Sequence, residues 1–276
     1  MKKVLNFKKS AFWAIAVVFI SCIVFVLFWH HPVSDYEVAV AYDLEKAVSD
    51  AILNKNIGSF LDGECQGEGH YIMNSTIDGT ALTVYALTMY GEYGFQDGNF
   101  VKVSGTGVIP TVINFSIDKD GNLFMESYQM PEDGEGYGDS IGRLFPKDLQ
   151  FQCLHVSKDI ANKLKSQEKE YAMKYLDSIG RSAIVGEYGD FEHTLLTDLG
   201  VSVEVSNTMI ANKKTANYPF WIGNIERLED GTRFFYELSF DEKLQTITYS
   251  KLNYDTKTVT EKLIFDSISG KELSQS

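Results

Sequence analysis

The sequence predicts an α+β protein in which one N-terminal transmembrane helix precedes one or two external units, each built from a helix and an antiparallel β-meander. Three observations support this prediction: a long apolar run near the N-terminus, two stretches with helical spacing of apolar residues, and β-branched or aromatic runs separated by Asp-Gly dipeptides. The 44% hydrophobic and 13% aromatic content argues against a disordered chain.

The first element is the run from Ala11 to Trp29, which is apolar except for Ser21 and Cys22. As a helix these 19 residues would extend over about 28 Å, close to the thickness of the bilayer hydrocarbon. A secretory signal peptide has a shorter apolar core and a cleavage site between small residues, which this run lacks. Cys22 faintly resembles a lipidation site, but apolar residues follow it where a polar tether is expected. The sequence therefore predicts an uncleaved membrane anchor over residues 11–29.

The charge distribution predicts the orientation of this anchor. Four lysines and no acidic residue precede its end, so residues 1–10 are expected to form a basic cytoplasmic tail, with the rest of the chain outside the cell. With these four lysines removed from the 25 basic residues, 21 remain against 38 acidic residues, which gives the external part a formal charge of −17. Such an acidic domain is unsuited to binding nucleic acid or anionic lipid surfaces.

The first external unit is predicted over residues 33–156. Apolar residues at near-helical spacing predict an amphipathic helix from about Tyr36 to Asn54. The following hundred residues alternate β-forming runs with dipeptides that favour the positive φ angles of tight hairpins. These turns are expected at Asp78-Gly79, Asp97-Gly98 and Asp120-Gly121.

The second external unit is predicted over residues 157–276. It begins with a helix from Lys158 to Ile179 that Gly180 would close as a C-terminal cap, and the charged residues from 163 to 174 are expected on its wet side. Three or four strands follow, with turns at Asp230-Gly231 and near Asp255.

Motifs of catalysis are missing from the sequence. It has no H-E-x-x-H zinc motif, no G-x-S-x-G elbow and no glycine-rich phosphate loop, and its two S-x-x-K matches have no accompanying K-T-G or S-D-N element. The densest group of metal-ligand residue types is Glu64, Glu68 and His70, which would suit a divalent metal or acid–base chemistry. The same residues also fit an ordinary polar start of a strand. No cofactor is predicted.

Two further groups of residues are candidates for a site or a cross-link. Glu132, Asp133, Glu135 and Asp139 lie in what reads as a flexible glycine-rich loop, and their carboxylates are the type of ligand that Ca²⁺ prefers. Cys65 and Cys153 would both be external, where a disulfide is chemically permitted. Two buried free thiols are the equally consistent alternative.

The opening phrase "VLNFKKSAFWAIAVVFISCIVFVLFW" resembles the last membrane-spanning segment of the BlaR/MecR-type antirepressor metallopeptidases. The phrases "GECQGEGH", "YGEYGF", "VSGTGVIPTVINFS" and "QEKEYAMKYLDSIGR" are similar to external tails of such proteins in Gram-positive bacteria. The resemblance implies the topology, a sensor-like position and a possible partner in the membrane. It does not extend to the family's peptidase motif or to its β-lactam-binding serine, so neither activity is transferred to any residue.

These observations favour a single-pass cell-membrane protein with a non-catalytic, sensor-like external domain that binds a cell-envelope ligand or a membrane protein. One alternative is an envelope hydrolase that uses Glu64, Glu68 and His70, and another is a fragment of a receptor-type metallopeptidase. A pocket lined by aromatic residues with few carboxylates would favour binding, whereas convergence of those three residues would favour catalysis. The aromatic candidates are Tyr85, Tyr90, Phe95 and Trp221.

Overall fold

The computed structural model describes residues 35–273, with side chains from residue 44. It contains five α-helices, namely α1 (Asp35–Asn56), α2 (Tyr137–Leu144), α3 (Lys147–Leu154), α4 (Lys158–Ser178) and α5 (Val203–Ala211). In this described part, no helix is long and apolar enough to cross a membrane. The anchor predicted over residues 11–29 lies outside the described residues.

Within residues 35–273, ten strands form one sheet, which is antiparallel except for a single parallel pair. They are β1 (Cys65–Asp78), β2 (Ala81–Gln96), β3 (Asn99–Gly105), β4 (Ile109–Ile117), β5 (Leu123–Gln129), β6 (Val185–Glu187), β7 (Gly223–Glu229), β8 (Thr232–Asp241), β9 (Thr246–Asn253) and β10 (Val259–Asp266). The main path runs β10-β9-β8-β7-β2-β3-β6, while β1 and β4 also pair with β2, and β5 pairs with β4. The predicted α+β class is confirmed.

The two predicted helices form close to their expected limits. Helix α1 covers the region expected from Tyr36 to Asn54, and α4 begins at Lys158 as predicted. At the end of α4, Gly180 has a φ of +65°. Its N–H donates to the Asp177 carbonyl at 3.1 Å and the Arg181 N–H donates to the Leu176 carbonyl at 2.9 Å, which is the Schellman pattern. This cap fixes where Arg181 leaves the helix.

The Asp-Gly dipeptides form the predicted turns. In the two-residue turns between β2 and β3 and between β7 and β8, both central residues have positive φ, with 47° and 78° at Asp97 and Gly98 and the same values at Asp230 and Gly231. These angles are those of a type I′ turn, whose twist matches that of the adjoining strands. The predicted positions of both hairpin turns are therefore confirmed.

Helices α2, α3 and α5 were not predicted. Each has only eight or nine residues, which is too short for a convincing apolar period. Their stability comes from tertiary packing, as shown by the buried side chains Ile141 in α2, Cys153 in α3 and Met209 in α5.

Helix α4 packs on one face of the sheet, against β1 and β2. Its buried residues Leu164, Ala172 and Leu176 meet apolar side chains such as Met89 and Phe95. The predicted second unit was expected to contain this helix, yet the helix packs against strands of the first unit. From Ala47 on, the chain forms one compact unit, and the division at residues 156 and 157 stays a prediction.

The sheet has two halves, β1–β6 and β7–β10, which meet where β2 pairs with β7. A buried ion-pair network also joins these two halves. We use this name for Glu64, Arg181, Glu226 and Arg233. Arg233 donates to Glu64 at 2.5 and 2.8 Å and to Glu226 at 2.9 Å, while Arg181 donates to Glu226 at 2.5 and 3.0 Å. Since the two arginines balance the two carboxylates, the network places no net charge in the interior.

Candidate functional site

A cleft of about 180 Å³ opens between α4 and the segment that contains β6. Helix α4 contributes Lys165, Glu168 and Lys169, which lie three and four positions apart and therefore share one helix face. The parallel pairing of β6 with β3 holds the opposite wall in place. The complete lining consists of Tyr93, Lys165, Glu168, Lys169, Val185, Gly186, Glu187 and Asp190.

Glu168 is the buried acidic group of this cleft, with 1% of its surface exposed. Its carboxylate oxygens lie 2.9 and 3.0 Å from Lys102 Nζ, which also donates to the Thr106 carbonyl at 2.9 Å. Burial raises the pKa of the Glu168 carboxyl, and the ammonium group of Lys102 opposes that rise. Burial and the charge of Glu168 together raise the pKa of the nearby Tyr93 hydroxyl. The ion pair with Lys102 makes burial of this carboxylate tolerable.

Glycines in the sheet make room for α4 and for the Glu168 side chain. A Cβ at Gly91 would overlap the Glu168 carboxylate, and one at Gly69 would overlap the Leu164 carbonyl. A Cβ at Gly67 would lie 2.7 Å from the Glu168 carbonyl oxygen. Gly67 and Gly69 in "GECQGEGH" therefore allow the helix backbone to approach the strands closely, and Gly91 in "YGEYGF" makes room for the Glu168 side chain.

The rim of the cleft carries exposed charges of both signs. Lys165 and Glu187 form an ion pair at 2.8 Å, with side chains 51% and 47% exposed. Asp190 accepts a hydrogen bond from the Glu187 N–H at 2.8 Å, and Lys169 is exposed. With Lys102 included, three cations balance three carboxylates, so the cleft is formally neutral.

A cluster of four rings, which we call the aromatic cluster, consists of Tyr188, His193, Phe220 and Trp221. Its member Tyr188 lies between the cleft residues Glu187 and Asp190 in the chain. The rings of Tyr188 and His193 stack with centroids 3.9 Å apart, and Trp221 meets the edges of both His193 and Phe220, at 4.7 and 5.0 Å. Trp221 is buried and donates from Nε1 to Asp97 at 3.0 Å. Tyr188 and Phe220 remain 37% and 47% exposed. Two large aromatic side chains are therefore exposed to solvent while they pack against His193 and Trp221.

The short segment 186–190 connects the cleft to the aromatic cluster. Gly186, Glu187 and Asp190 line the cleft, while Tyr188 belongs to the aromatic cluster. Tyr188–Asp190 form a 3₁₀ turn. Because Asp190 accepts from the backbone at the start of this turn, the turn holds charged and aromatic side chains in a fixed local arrangement.

The structure brings together only two of the three residues predicted as a metal or acid–base site. His70 Nδ1 lies 2.9 Å from a Glu68 oxygen, and Tyr171 donates to the other oxygen of Glu68 at 3.1 Å. Glu64 instead belongs to the buried ion-pair network and accepts from Tyr175 at 3.0 Å. Glu68 and His70 are 3% and 6% exposed, so a substrate would reach them only if the structure opened.

The four acids predicted as a calcium site lie partly in helical structure. The loop expected here is only partly present, because Gly134–Gly136 form a 3₁₀ turn and Asp139 lies in α2. Glu132 pairs with Arg143, and Asp133 caps the 3₁₀ turn. Glu135 lies within that turn. Over residues 35–273, no group of three or more His, Cys, Asp or Glu side chains is arranged to hold a metal ion.

Cys65 and Cys153 are free buried thiols. They belong to separate core clusters, Cys65 with Tyr93 and Phe95, and Cys153 with Ile141 and Phe145. The sequence left open either a disulfide or two buried free thiols, and the structure has the free thiols. Burial raises the pKa of Cys65 to about 12 and that of Cys153 to about 11.

The sequence analysis did not identify the cleft residues, and none of its four aromatic candidates lines the cleft, which instead contains three carboxylates. Tyr90 and Phe95 are core residues and Tyr85 is a partly buried one, while Trp221 is the buried member of the aromatic cluster. Glu168 falls within the stretch expected on the wet side of α4. The glycines opposite it in β1 and β2 are the signal that could have revealed its burial.

Comparison of the chain with protein-family models, curated proteins and solved structures finds no significant match to any of them. The resemblance to the BlaR/MecR-type tails therefore stays an expectation.

Proposed function

We propose that this chain is a single-pass, membrane-anchored binding protein whose external domain holds a small polar ligand in the charged cleft, without catalytic chemistry of its own. The observation that carries the proposal is the cleft itself, where a buried acid, a tyrosine and an exposed rim of both charge signs converge from α4, β2 and the segment 185–190. A concave site with a few convergent polar groups is the usual form of a ligand site.

The ion pairs that the carboxylates form favour a binding function over hydrolysis. Catalysis by two carboxylates requires environments that separate their pKa values at a shared, accessible point. Glu64 forms an ion pair with Arg233, whereas Glu68 and His70 are paired with each other in the interior. In the cleft, Glu168 and Glu187 each have a lysine partner. These ion pairs hold the charged side chains of the cleft in place, which supports recognition of a ligand by those side chains.

The contacts of α4 support a sensor-like role. One turn beyond the cleft residue Glu168, Tyr171 shares a hydrogen bond of 2.7 Å with Ser49 of α1. Helix α1 begins at Asp35, shortly after the predicted anchor over residues 11–29. The helix that forms one wall of the cleft therefore also contacts the helix that follows the predicted anchor.

Thermal unfolding of the full-length protein in lipid nanodiscs tests the binding proposal. The panel contains neutral trisaccharides, free amino acids, dipeptides and mononucleotides. At least one class should raise the melting temperature, because a ligand that binds only the folded state stabilises it. The double variant K169Q/D190N should lose this rise, since it removes two exposed cleft charges.

The control for that experiment is K147Q/D148N, which makes the same charge change at exposed positions of α3 and should retain the rise. The binding proposal is contradicted if no class stabilises the protein, or if both double variants respond like the wild type.

Labelling of intact cells tests the proposed topology. Lys119 is exposed in the turn between β4 and β5, so a K119C variant should react with a membrane-impermeant maleimide without lysis. The wild type is the control, because its two described thiols are buried. Reaction of the variant only after lysis would contradict an external location.

A further inference from the structure

We infer that the ligand of the cleft is an uncharged carbohydrate, whose sugar ring stacks on Tyr188 and Phe220 while its hydroxyl groups bond to the charged rim. This inference rests on the proposed binding function and names the class of ligand for the same site. Its evidence is the short segment 186–190, which carries both the cleft residues Glu187 and Asp190 and the exposed ring of Tyr188.

The aromatic cluster has the properties of a stacking platform. Tyr188 and Phe220 expose large parts of their rings, although side chains of this type usually contribute their apolar area to a core or an interface. Their orientations are fixed by His193 and Trp221, and Trp221 is itself held by Asp97. A rigid ring loses little conformational freedom when it binds. The C–H groups on one face of a pyranose ring provide a flat apolar surface that matches such rings.

The rim of the cleft has the properties expected for recognition of hydroxyl groups. Lys165 and Lys169 provide only donors, while Glu187 and Asp190 provide only acceptors when ionised. A hydroxyl group can donate and accept at once, so a ring with several hydroxyls can satisfy both kinds of side chain. Hydrogen bonds to ionised partners are also stronger than those between neutral groups.

The charge balance argues against ionic ligands. Three cations offset three carboxylates around the cleft, so neither an anion nor a cation gains a net attraction there. The formal charge of −17 beyond the four N-terminal lysines further repels polyanions. A free amino acid could pair with both signs of charge, but it would leave the aromatic rings unused.

Saturation-transfer NMR on the full-length protein in nanodiscs tests the inference. The probes are cellotriose, maltotriose, mannotriose and tri-N-acetylchitotriose, all uncharged. At least one should show saturation transfer that is strongest at the C–H protons of one ring face. Y188A and F220A should each weaken its binding by about tenfold, the order expected for loss of an aromatic contact. Y188F should bind like the wild type, because stacking uses the ring and not the hydroxyl.

Phe151 provides a matched control in another part of the surface. It is 71% exposed and stacks on His155 with centroids 4.4 Å apart, much as Tyr188 stacks on His193. F151A should therefore leave trisaccharide binding unchanged.

The outcomes separate this inference from the binding proposal. Binding of amino acids, dipeptides or nucleotides at the cleft without any trisaccharide would overturn the carbohydrate inference and leave the binding function standing. Trisaccharide binding that survives both Y188A and F220A would also overturn it. Binding of no probe of any class would overturn both proposals.

Discussion

Replacement of Arg233 by alanine probes how the two halves of the sheet are held together. Arg233 lies on β8 and is 13% exposed, while its partners Glu64 and Glu226 are 7% and 2% exposed. Its guanidinium group binds both carboxylates, and it lies 5.1 Å from the centre of the Phe95 ring. R233A would remove all of these contacts and leave one arginine for two buried acids.

The two carboxylates would be affected to different degrees. Glu226 keeps its two hydrogen bonds from Arg181, whereas Glu64 keeps only the hydroxyl of Tyr175. Removing one partner of a buried ion pair costs about 3–5 kcal/mol, because the other charge stays uncompensated. Since only Glu64 loses its cation, we expect a loss of about 3 kcal/mol in the free energy of unfolding.

Urea unfolding of the full-length protein, followed by circular dichroism, measures this loss. The control is K214A, which removes an ion pair with Glu272 whose side chains are 57% and 41% exposed. An exposed pair contributes about 0–1 kcal/mol, so K214A should change little. Equal losses for R233A and K214A would refute the assignment of a structural role to the buried ion-pair network.

Three further predictions follow from the close packing of α4 and from burial. A G69A substitution should lower the free energy of unfolding by about 1–3 kcal/mol, since its Cβ would overlap the backbone of α4. The matched control is G94A, whose Cβ would meet only ordinary contacts, so it should lower the free energy of unfolding by less. Equal losses for the two variants in urea unfolding would contradict the packing argument. Because burial holds the pKa of Glu168 above its ordinary 4.5, its ionisation opposes folding, so the stability of the wild type relative to E168Q should fall as the pH rises from about 4.5 through the raised pKa. A flat or rising difference would contradict that burial effect. Cys65 and Cys153, with pKa values raised to about 12 and about 11, should resist maleimide at neutral pH in the folded protein and react in urea, and rapid labelling of the folded protein at either thiol would contradict their burial.

Local signals in the sequence predicted much of the fold. Helices α1 and α4 were found because each is more than 20 residues long and carries an apolar period. The turns at Asp97-Gly98 and Asp230-Gly231 were found because positive φ at two successive residues restricts the choice of dipeptide. These features depend on neighbours in the chain, which a single sequence displays.

The candidate site could not be predicted because it depends on pairing between strands that are far apart in the chain. One wall of the cleft is formed by the three-residue strand β6, which pairs in parallel with β3, 85 residues earlier in the chain. Glu168 was expected to face solvent because it lies among charged residues on α4. Its burial depends on Gly91 and Lys102, which belong to other elements, so no pattern within α4 itself could reveal it.

Hydrogen exchange of the full-length protein in nanodiscs, with and without the ligand that stabilises it, is the most direct test of the central claim that the cleft is a binding site. We predict that bound ligand slows exchange in residues 165–169 and 185–193, while the C-terminal strands β8–β10 exchange as before. Protection confined to another surface, or unchanged exchange at saturating ligand, would contradict the claim.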